Sequence, residues 1–319
     1  MAKINVVIDY SHINWVLGGL FREVIQADPK NYSRMIVISP IRSRYVFMSL
    51  IRVYFLIPKK NIILFSSLTP FENFLKLKPF SKSKKIVWFT HSEEKPTNRV
   101  ISKLNQASII LCQSNREKNN LKNLGVNVPI IPFMGAIDPS RFKLAPLKGS
   151  KIVIVGTAAN RKNPHIILAL AEKYPELNFK IIGKNWSNDT SLFRALFNFK
   201  NIEYIEIKGP VRSSDFDYCS HYLMVSTIEG GPISLIEAVA SGLIPICTNT
   251  GIVEEFLELI GYENQIIQSP VSLDEIIVKY KNKYTKSQIE SATRIAKSFT
   301  ITRLSKIIKY QALTENEFN

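Results

Sequence analysis

Short β-rich runs alternate with helix-length amphipathic stretches along the whole chain, and the alternation restarts once. Lys3–Asp9, Arg34–Ser39, Asn61–Ser66, Lys85–Thr90, Ser108–Gln113 and Val128–Phe133 read as strands. Val16–Gln26, Tyr45–Ile57, Pro96–Gln106 and Asn115–Leu124 read as the helices between them. Residues 138–150, DPSRFKLAPLKGS, hold two prolines and a glycine with no period and read as a linker. Strands then resume at Lys151–Val155, Asn178–Ile182, Ile202–Glu206, Tyr222–Ser226, Ile244–Thr248 and Gln265–Gln268. Their helices are Asn163–Lys173, Leu192–Phe199, Ser214–Ser220, Pro232–Ser241 and Ile252–Ile260, with two more around Leu273–Lys281 and Thr285–Gln311. Strands alternating with helices are the signature of a parallel sheet with helices on both faces. The expected fold class is therefore α/β: two tandem doubly wound, Rossmann-like domains facing across a cleft. The expected boundaries are 1–145, 146–295, and a C-terminal helix in 296–319 that packs back on the first domain. A length of 319 residues suits two such cores.

Composition removes several classes. A 45% hydrophobic share with mixed charges excludes a disordered or fibrous chain. Cys112, Cys219 and Cys247 are scattered, with no CxxC, which excludes a zinc ribbon and a disulfide scaffold and fits a reducing compartment. The opening MAKINVVIDY reads as a first strand rather than a signal peptide. The longest apolar stretch, Tyr45–Ile57, is 13 residues and contains Arg52, too short and too charged to span a bilayer. A cytoplasmic protein, at most peripheral on the inner face of the membrane, is expected.

Charge is distributed unevenly. Residues 1–149 hold 23 Lys and Arg against 8 Asp and Glu, whereas residues 150–319 hold 19 against 18. From Pro29 to Ser92 a single acid, Glu72, faces twelve bases. Such one-sidedness points to an anionic partner for the first half: a nucleic acid, an anionic membrane surface or a phosphorylated substrate. Arg42, Arg44, Arg52, Lys59 and Lys60 lie in and around the Tyr45–Ile57 stretch. That stretch reads either as a basic amphipathic helix in a membrane interface or as a buried crossover helix with basic ends.

Chemistry concentrates in residues 225–256, VSTIEGGPISLIEAVASGLIPICTNTGIVEEF. A strand ends near Ser226, Gly230 and Gly231 make a turn, and Pro232 with Ile233 opens a helix. Backbone N–H groups at such a helix start favour a phosphate or another anion. Glu229 in the turn and Glu237 on the helix do not suit a phosphate, but carboxylates do accept paired hydrogen bonds from vicinal hydroxyls. Two carboxylates flanking an anion seat describe a ligand with two polyhydroxyl groups joined through phosphate, that is, a nucleotide sugar. The plainer reading, two solvated helix charges, sits poorly with Ile228, Ile233, Leu235 and Ile236 around them.

This stretch resembles the E-x7-E signature of retaining GT-B glycosyltransferases of family 4, the glycosyl transferases group 1. Weaker resemblances follow in order along nearly the whole chain: Gly18-Gly19 after the first strand, Phe89-Thr90-His91, Gly135 to Asp138 with Phe142, Gly156 with Lys162, Ile182-Gly183, Gly209-Pro210-Val211, and Gly251 to Glu254. The resemblance implies that Glu237 binds ribose hydroxyls and that Glu229, with the Gly230 and Gly231 backbone, holds the transferred sugar and the phosphate. It implies further that Lys162 pairs with the diphosphate, that His91 approaches the reacting sugar, and that Gly183 and Val211 border the base. Glu229, Lys162 and His91 form the implied catalytic set. Gly18, Gly19, Arg161, Pro232 and Ile233 complete the donor site. Where the family often has Gly-Arg, this chain has Gly156-Thr157, and Arg161 is the nearest arginine.

The implied activity is transfer of a sugar from a nucleotide-diphosphate donor to an acceptor hydroxyl with retention. No cofactor and no metal are required, the nucleotide sugar being substrate. A glycan or lipid-linked acceptor at an anionic membrane surface, in envelope polysaccharide or lipopolysaccharide synthesis, would give the basic half its task, and no nucleic-acid partner is expected. The alternatives are a nucleotide-sugar epimerase on the same fold and a basic nucleic-acid-binding protein, although no DNA or RNA module is recognisable. Asp215-Phe216-Asp217 imitates a metal-binding D-x-D, but its place at a short helix start favours capping. His12, His165 and His221 carry no motif and read as structural.

Overall fold

The computed structural model describes residues 3–10, 13, 16–38, 61–79, 81–90, 96–144, 149–186, 190–207, 209–269 and 271–313. Among them, β1 (Ile4–Asp9), β2 (Tyr32–Ile38), β3 (Ile62–Phe65), β4 (Lys84–Trp88), β5 (Ile109–Cys112) and β6 (Ile130–Pro132) form a six-stranded sheet in the order β2-β1-β3-β4-β5-β6. Every pairing is parallel, with Val7 opposite Phe65 and Phe65 opposite Val87. Parallel strands are covered on both faces, so IILF and IILC are apolar throughout rather than alternating and INVVID is apolar apart from Asn5 and Asp9, and all of their residues are buried.

Helices α1 (Val16–Ala27), α2 (Leu68–Leu77), α3 (Asn98–Leu104) and α4 (Asn115–Asn123) connect these strands. Phe65, Phe71, Phe74, Val87, Ile101, Leu104, Ile110 and Leu121 fill the core on one sheet face. On the other, Trp88 meets Phe21 edge to face at 5.4 Å between ring centroids. The helix at Leu68–Leu77 has no counterpart in the strand–helix reading of the sequence. Its Pro70 lies in the first turn, where a missing N–H costs nothing, and its buried side chains gather at Pro70, Phe71, Asn73 and Phe74.

The second sheet contains β7 (Lys151–Val155), β8 (Phe179–Gly183), β9 (Ile202–Glu206), β10 (Cys219–Met224), β11 (Ile244–Thr248) and β12 (Ile266–Ile267). Its order is β12-β11-β10-β7-β8-β9, again parallel. Helices α5 (Pro164–Lys173), α6 (Thr190–Phe197), α7 (Ile233–Ala240), α8 (Val253–Ile260), α9 (Leu273–Tyr280) and α10 (Lys286–Lys297) accompany it. From β7 the chain runs outward to β8 and β9, then returns to lay β10 on the other side of β7. The strand order therefore reverses between β7 and β10, and open sheets of this kind bind ligands beyond the strand ends at such a point.

The sequence pattern suggests one long helix over Thr285–Gln311. The structure breaks it at Ser298–Thr300 into α10 and α11 (Ile301–Leu313). Phe299 is buried and its carbonyl accepts from Ile137 N at 2.8 Å, while the Thr300 hydroxyl accepts from Arg303 N at 3.1 Å and caps the new helix. The chain divides into two compact units, 1–136 with 300–319, and 137–299, against sequence-based boundaries at 145/146 and 295/296. Helix α11 belongs to the first unit. The Tyr32 hydroxyl donates to Ser305 O, and Lys84 Nζ donates to the carbonyls of Gln311 and Ala312 at 2.8 and 3.0 Å, where a cation complements the helix dipole.

No helix among the described residues is long and apolar enough to cross a membrane. Because Ile308 is wholly buried and Lys306 exposed, Ile308→Ala should cost about 2–4 kcal/mol in urea unfolding and Lys306→Ala less than about 0.5 kcal/mol. Equal effects would mean that α11 does not hold the first unit together.

Candidate functional site

Two loops meet at the reversal point of the second sheet. One leaves β7 and runs from Gly156 to Asn163. The other leaves β10 and runs from Val225 to Pro232. Gly156 has φ +149, open to glycine and rarely to other residues, and its N–H donates to Ile182 O at 2.9 Å. Asn163 ends the first loop in the left-handed region with φ 48, a conformation asparagine tolerates, and its Nδ2 donates to Val225 O at 2.8 Å. Pro164 then opens α5 where its fixed φ suits a first turn. Thr227 N donates to Arg161 O at 2.8 Å, and the Thr248 hydroxyl of β11 donates to Ser226 O. These bonds hold the two loops in one geometry.

That geometry brings Lys162 Nζ to 2.7 Å and Arg161 Nη1 to 2.9 Å from Glu229 Oε1. Arg161 Nη1 also donates to Ile228 O at 3.0 Å. The Glu229 side chain is 9% exposed, against 18% for Lys162 and 32% for Arg161. Burial pushes the Glu229 carboxyl up, but the Lys162 and Arg161 charges, with hydrogen bonds from Lys162 and Ser226, outweigh it and hold the group below its ordinary value. Glu229 is therefore ionised, and its two cations reach closer to solvent than it does.

Glu237 lies on α7, 7% exposed overall, with Oε1 at 4.0 Å from Arg141 Nη2. Arg141 comes from the turn after Asp138, whose carboxylate accepts from Ser140 N and Oγ; the buried Phe142 and paired bonds between Lys143 and Ser213 fix the same segment. On β10 the buried Tyr222 shares a hydroxyl hydrogen bond with Ser234 of α7 at 2.9 Å. Burial raises the Tyr222 pKa well above its ordinary value, with smaller contributions from Cys247, Glu229 and Glu237. Neither carboxylate faces bulk water.

The glycines here serve backbone approach. A methyl group on Gly251 (φ +56) would lie 2.0 Å from Gly230 O and 2.6 Å from Glu229 O, so the loop after β11 presses directly on the Gly230 turn. One on Gly183 would lie 1.8 Å from Gly156 O, which gives Gly183 a packing reason independent of any ligand. Pro232 occupies the N-cap and Ile233 is the first helical residue, a shift of one from the sequence reading. Val211 is buried, and Gly231 is half-buried beside Pro232. Gly18 and Gly19 lie in the first turn of α1 rather than in a loop before it. Asp215 accepts from Arg212 N at 2.7 Å and caps a single 3-10 turn, Ser213–Phe216, where the sequence suggested a helix to Ser220. His91, Arg42, Arg44, Arg52, Lys59 and Lys60 lie outside the described residues.

Sequence reasoning passed over Arg141, Asn163, Ser226, Thr248 and Trp186. Asn163 was within reach, since a polar residue tolerant of positive φ directly before Pro164 marks a helix entry. Arg141 and Trp186 left no comparable signal, because their partners lie 96 and 30 residues away in the chain.

Glu229→Gln removes the carboxylate charge that Lys162 and Arg161 share. It should destabilise the fold by about 2–3 kcal/mol at neutral pH and bind inorganic pyrophosphate about three- to tenfold more tightly by calorimetry. The stabilisation from a carboxyl with a lowered folded pKa is present above the unfolded value and lost as pH falls through the folded one. The stability gap between wild type and variant should accordingly narrow in acid; a gap constant down to pH 3 would contradict the ionised pairing.

Residues 137–298 match the family described as glycosyl transferases group 1. A curated relative, an uncharacterized glycosyltransferase of Haemophilus influenzae, is 29% identical over 152 residues, covering 46% of this chain and 40% of the relative, so the match spans well under half of that protein. Among solved structures, the lipopolysaccharide outer core galactosyltransferase WaaB superposes with a TM-score of 0.68 at 13% identity, covering 98% of this chain and 99% of its own. Sucrose-phosphate synthase from Thermosynechococcus elongatus gives 0.68 at 12% identity, with 99% and 98% covered. The pneumococcal O-GlcNAc transferase GtfA, solved with UDP and GlcNAc, gives 0.62 at 15%, with 84% and 59% covered. At these identities the structural likeness is one of fold, the GT-B glycosyltransferase fold. The family match coincides with the unit that holds Glu229, Lys162 and Arg161, and the chain belongs to the glycosyl transferases group 1 family.

Proposed function

We propose that the protein transfers a sugar from a nucleotide-diphosphate donor to an acceptor hydroxyl, with retention and without a metal. The observation that carries the proposal is the meeting of Lys162 and Arg161 with the buried Glu229 at the reversal point of the second sheet. Two cations that reach nearer to solvent than the carboxylate they share are suited to receive a diphosphate. As the leaving group gains charge, Lys162 and Arg161 stabilise it in place, and most of the rate comes from that stabilisation and from positioning. Glu229, kept ionised by the same two cations, accepts hydroxyls of the transferred sugar. Glu237, steadied by Arg141, accepts the ribose hydroxyls. The bound UDP and GlcNAc of GtfA are consistent with a donor of this class.

The acceptor is assigned to the first unit on charge. With 23 bases against 8 acids in residues 1–149, a glycan or lipid-linked acceptor at an anionic membrane surface is the chemistry that suits it, in envelope polysaccharide or lipopolysaccharide assembly on the cytoplasmic side. Arg42, Arg44, Arg52, Lys59 and Lys60 are the residues proposed to face that surface. The neighbour WaaB is a lipopolysaccharide outer core galactosyltransferase, which favours the same setting.

A thermal-shift panel of UDP-, GDP-, ADP- and CMP-sugars should identify a donor. With that donor, Lys162→Ala should lower turnover by about 10²-fold. Glu237→Ala should weaken donor use by about 10- to 100-fold. Unchanged kinetics in both would overturn the assignments, and conversion of the donor sugar without any acceptor would identify an epimerase instead. In flotation assays the protein should associate with liposomes containing anionic lipid and lose that association when Arg42, Arg44, Lys59 and Lys60 are replaced by Ser. Binding indifferent to lipid charge would remove the membrane assignment.

A further inference from the structure

Lys162 does not reach Glu229 unaided. A methyl group on Gly156 would meet Lys162 Cε and Nζ at 3.2 Å and Cδ at 3.3 Å, so the lysine stem runs directly across the Gly156 backbone. Gly156 is in a conformation that few other residues adopt, with φ +149. A glycine has no side chain to hold it there, and something else must fix its peptide plane. The N–H is tied to Ile182 O. The carbonyl is tied to the indole of Trp186, whose Nε1 donates to Gly156 O at 2.9 Å.

Trp186 is 2% exposed and packed into the core of the second unit with Ile154, Ile181, Leu196 and Val225. Its ring cannot be a platform for a ligand. Its N–H nonetheless points at the loop that seats the lysine, and Gly183 leaves the space for this: a methyl group there would lie 2.9 Å from Trp186 Nε1 as well as 1.8 Å from Gly156 O. Ala158 N, donating to Lys184 O at 3.1 Å, ties the same loop to the segment that carries Trp186. Gly156, Lys162 and Trp186 also line one small cavity together with Ser226.

We propose that Trp186 is a positioning residue for the anion seat. Its indole N–H holds the Gly156 carbonyl, and the Gly156 backbone so held is the rail along which Lys162 extends toward the diphosphate. Trp186 touches no substrate and acts through Lys162. The inference rests on the reading of the site as a diphosphate-binding one and adds to it a residue that neither the sequence signature nor the family match assigns.

The test separates the N–H from the ring. Replacing Trp186 by 3-benzothienylalanine keeps shape and burial and puts sulfur where the N–H was; Trp186→Phe is the genetically simple companion. Nucleoside diphosphate binding is measured by calorimetry with UDP, GDP, ADP and TDP, and the one that binds wild type is compared with its monophosphate. The isostere should melt close to wild type, weaken the diphosphate by about fivefold, the usual effect of one lost neutral hydrogen bond, and leave the monophosphate within about twofold. In a Lys162→Met background the isostere should make no further difference, because the group it positions is gone. Equal loss for diphosphate and monophosphate, full additivity with Lys162→Met, or wild-type affinity in the isostere would each overturn the proposal. If wild type binds none of the four diphosphates, the reading of the site falls first, and this inference with it.

Discussion

A carboxylate shielded from water as far as Glu229 keeps its charge only beside cations, and that requirement organises the second unit. Lys162 and Arg161 must come to within 3 Å of it from a different strand, so the loops after β7 and β10 have to interlock. They do so through backbone and short polar side chains rather than through bulk. Asn163 reaches Val225, Thr227 reaches Arg161, Thr248 reaches Ser226, and Gly251 lies against Gly230. Such contacts tolerate little displacement, since a hydrogen bond weakens steeply with angle and distance, and an added methyl at Gly251 or Gly183 has no room. Leaving Glu229 without its cations would place an uncompensated charge in a poorly solvated site, which costs more than the pairing gains. The ion cluster is thus a constraint that the surrounding loops are built to meet.

Topology decides where that constraint can be met. Reversal of strand order between β7 and β10 separates the helices that follow them and leaves room beyond the strand ends. Neither loop contains enough on its own: the first carries the cations and the second the carboxylate and the glycine turn. Only the parallel register, with Tyr222 opposite Val153, brings the two strand ends to one level.

Periodicity made the sheets legible. Mainly apolar runs such as KIVIV and FKIIG, repeated between amphipathic stretches, leave few alternatives to a parallel sheet, and the Glu229–Glu237 spacing across a Gly-Gly-Pro turn pointed to the candidate site. What escaped was set by contacts distant in the chain or by single residues. The helix at Leu68–Leu77 hid behind Pro70. The break at Ser298–Thr300 depends on the bond from Ile137 to Phe299, and nothing in a continuous helical period announces it. Gly18 and Gly19, which matched the family only by their place after the first strand, lie within α1, where a side chain at Gly19 would meet open space. Arg141 and Trp186 contact partners that no local pattern reveals.

Burial of its charges separates the candidate site from the rest of its unit. Residues 150–319 hold 19 bases and 18 acids, and on the surface they pair singly, as in Lys151 with Glu203, Lys173 with Asp274 and Lys286 with Glu290. Such exposed pairs are worth little, because water screens them and ordering the side chains offsets the attraction. At the reversal point Lys162 and Arg161 both meet Glu229, in a setting where screening is weaker. Arg161 is the more exposed of the two cations and forms the outer edge of the cluster. Burial and loop geometry, rather than the net charge of the unit, set the strength of that contact.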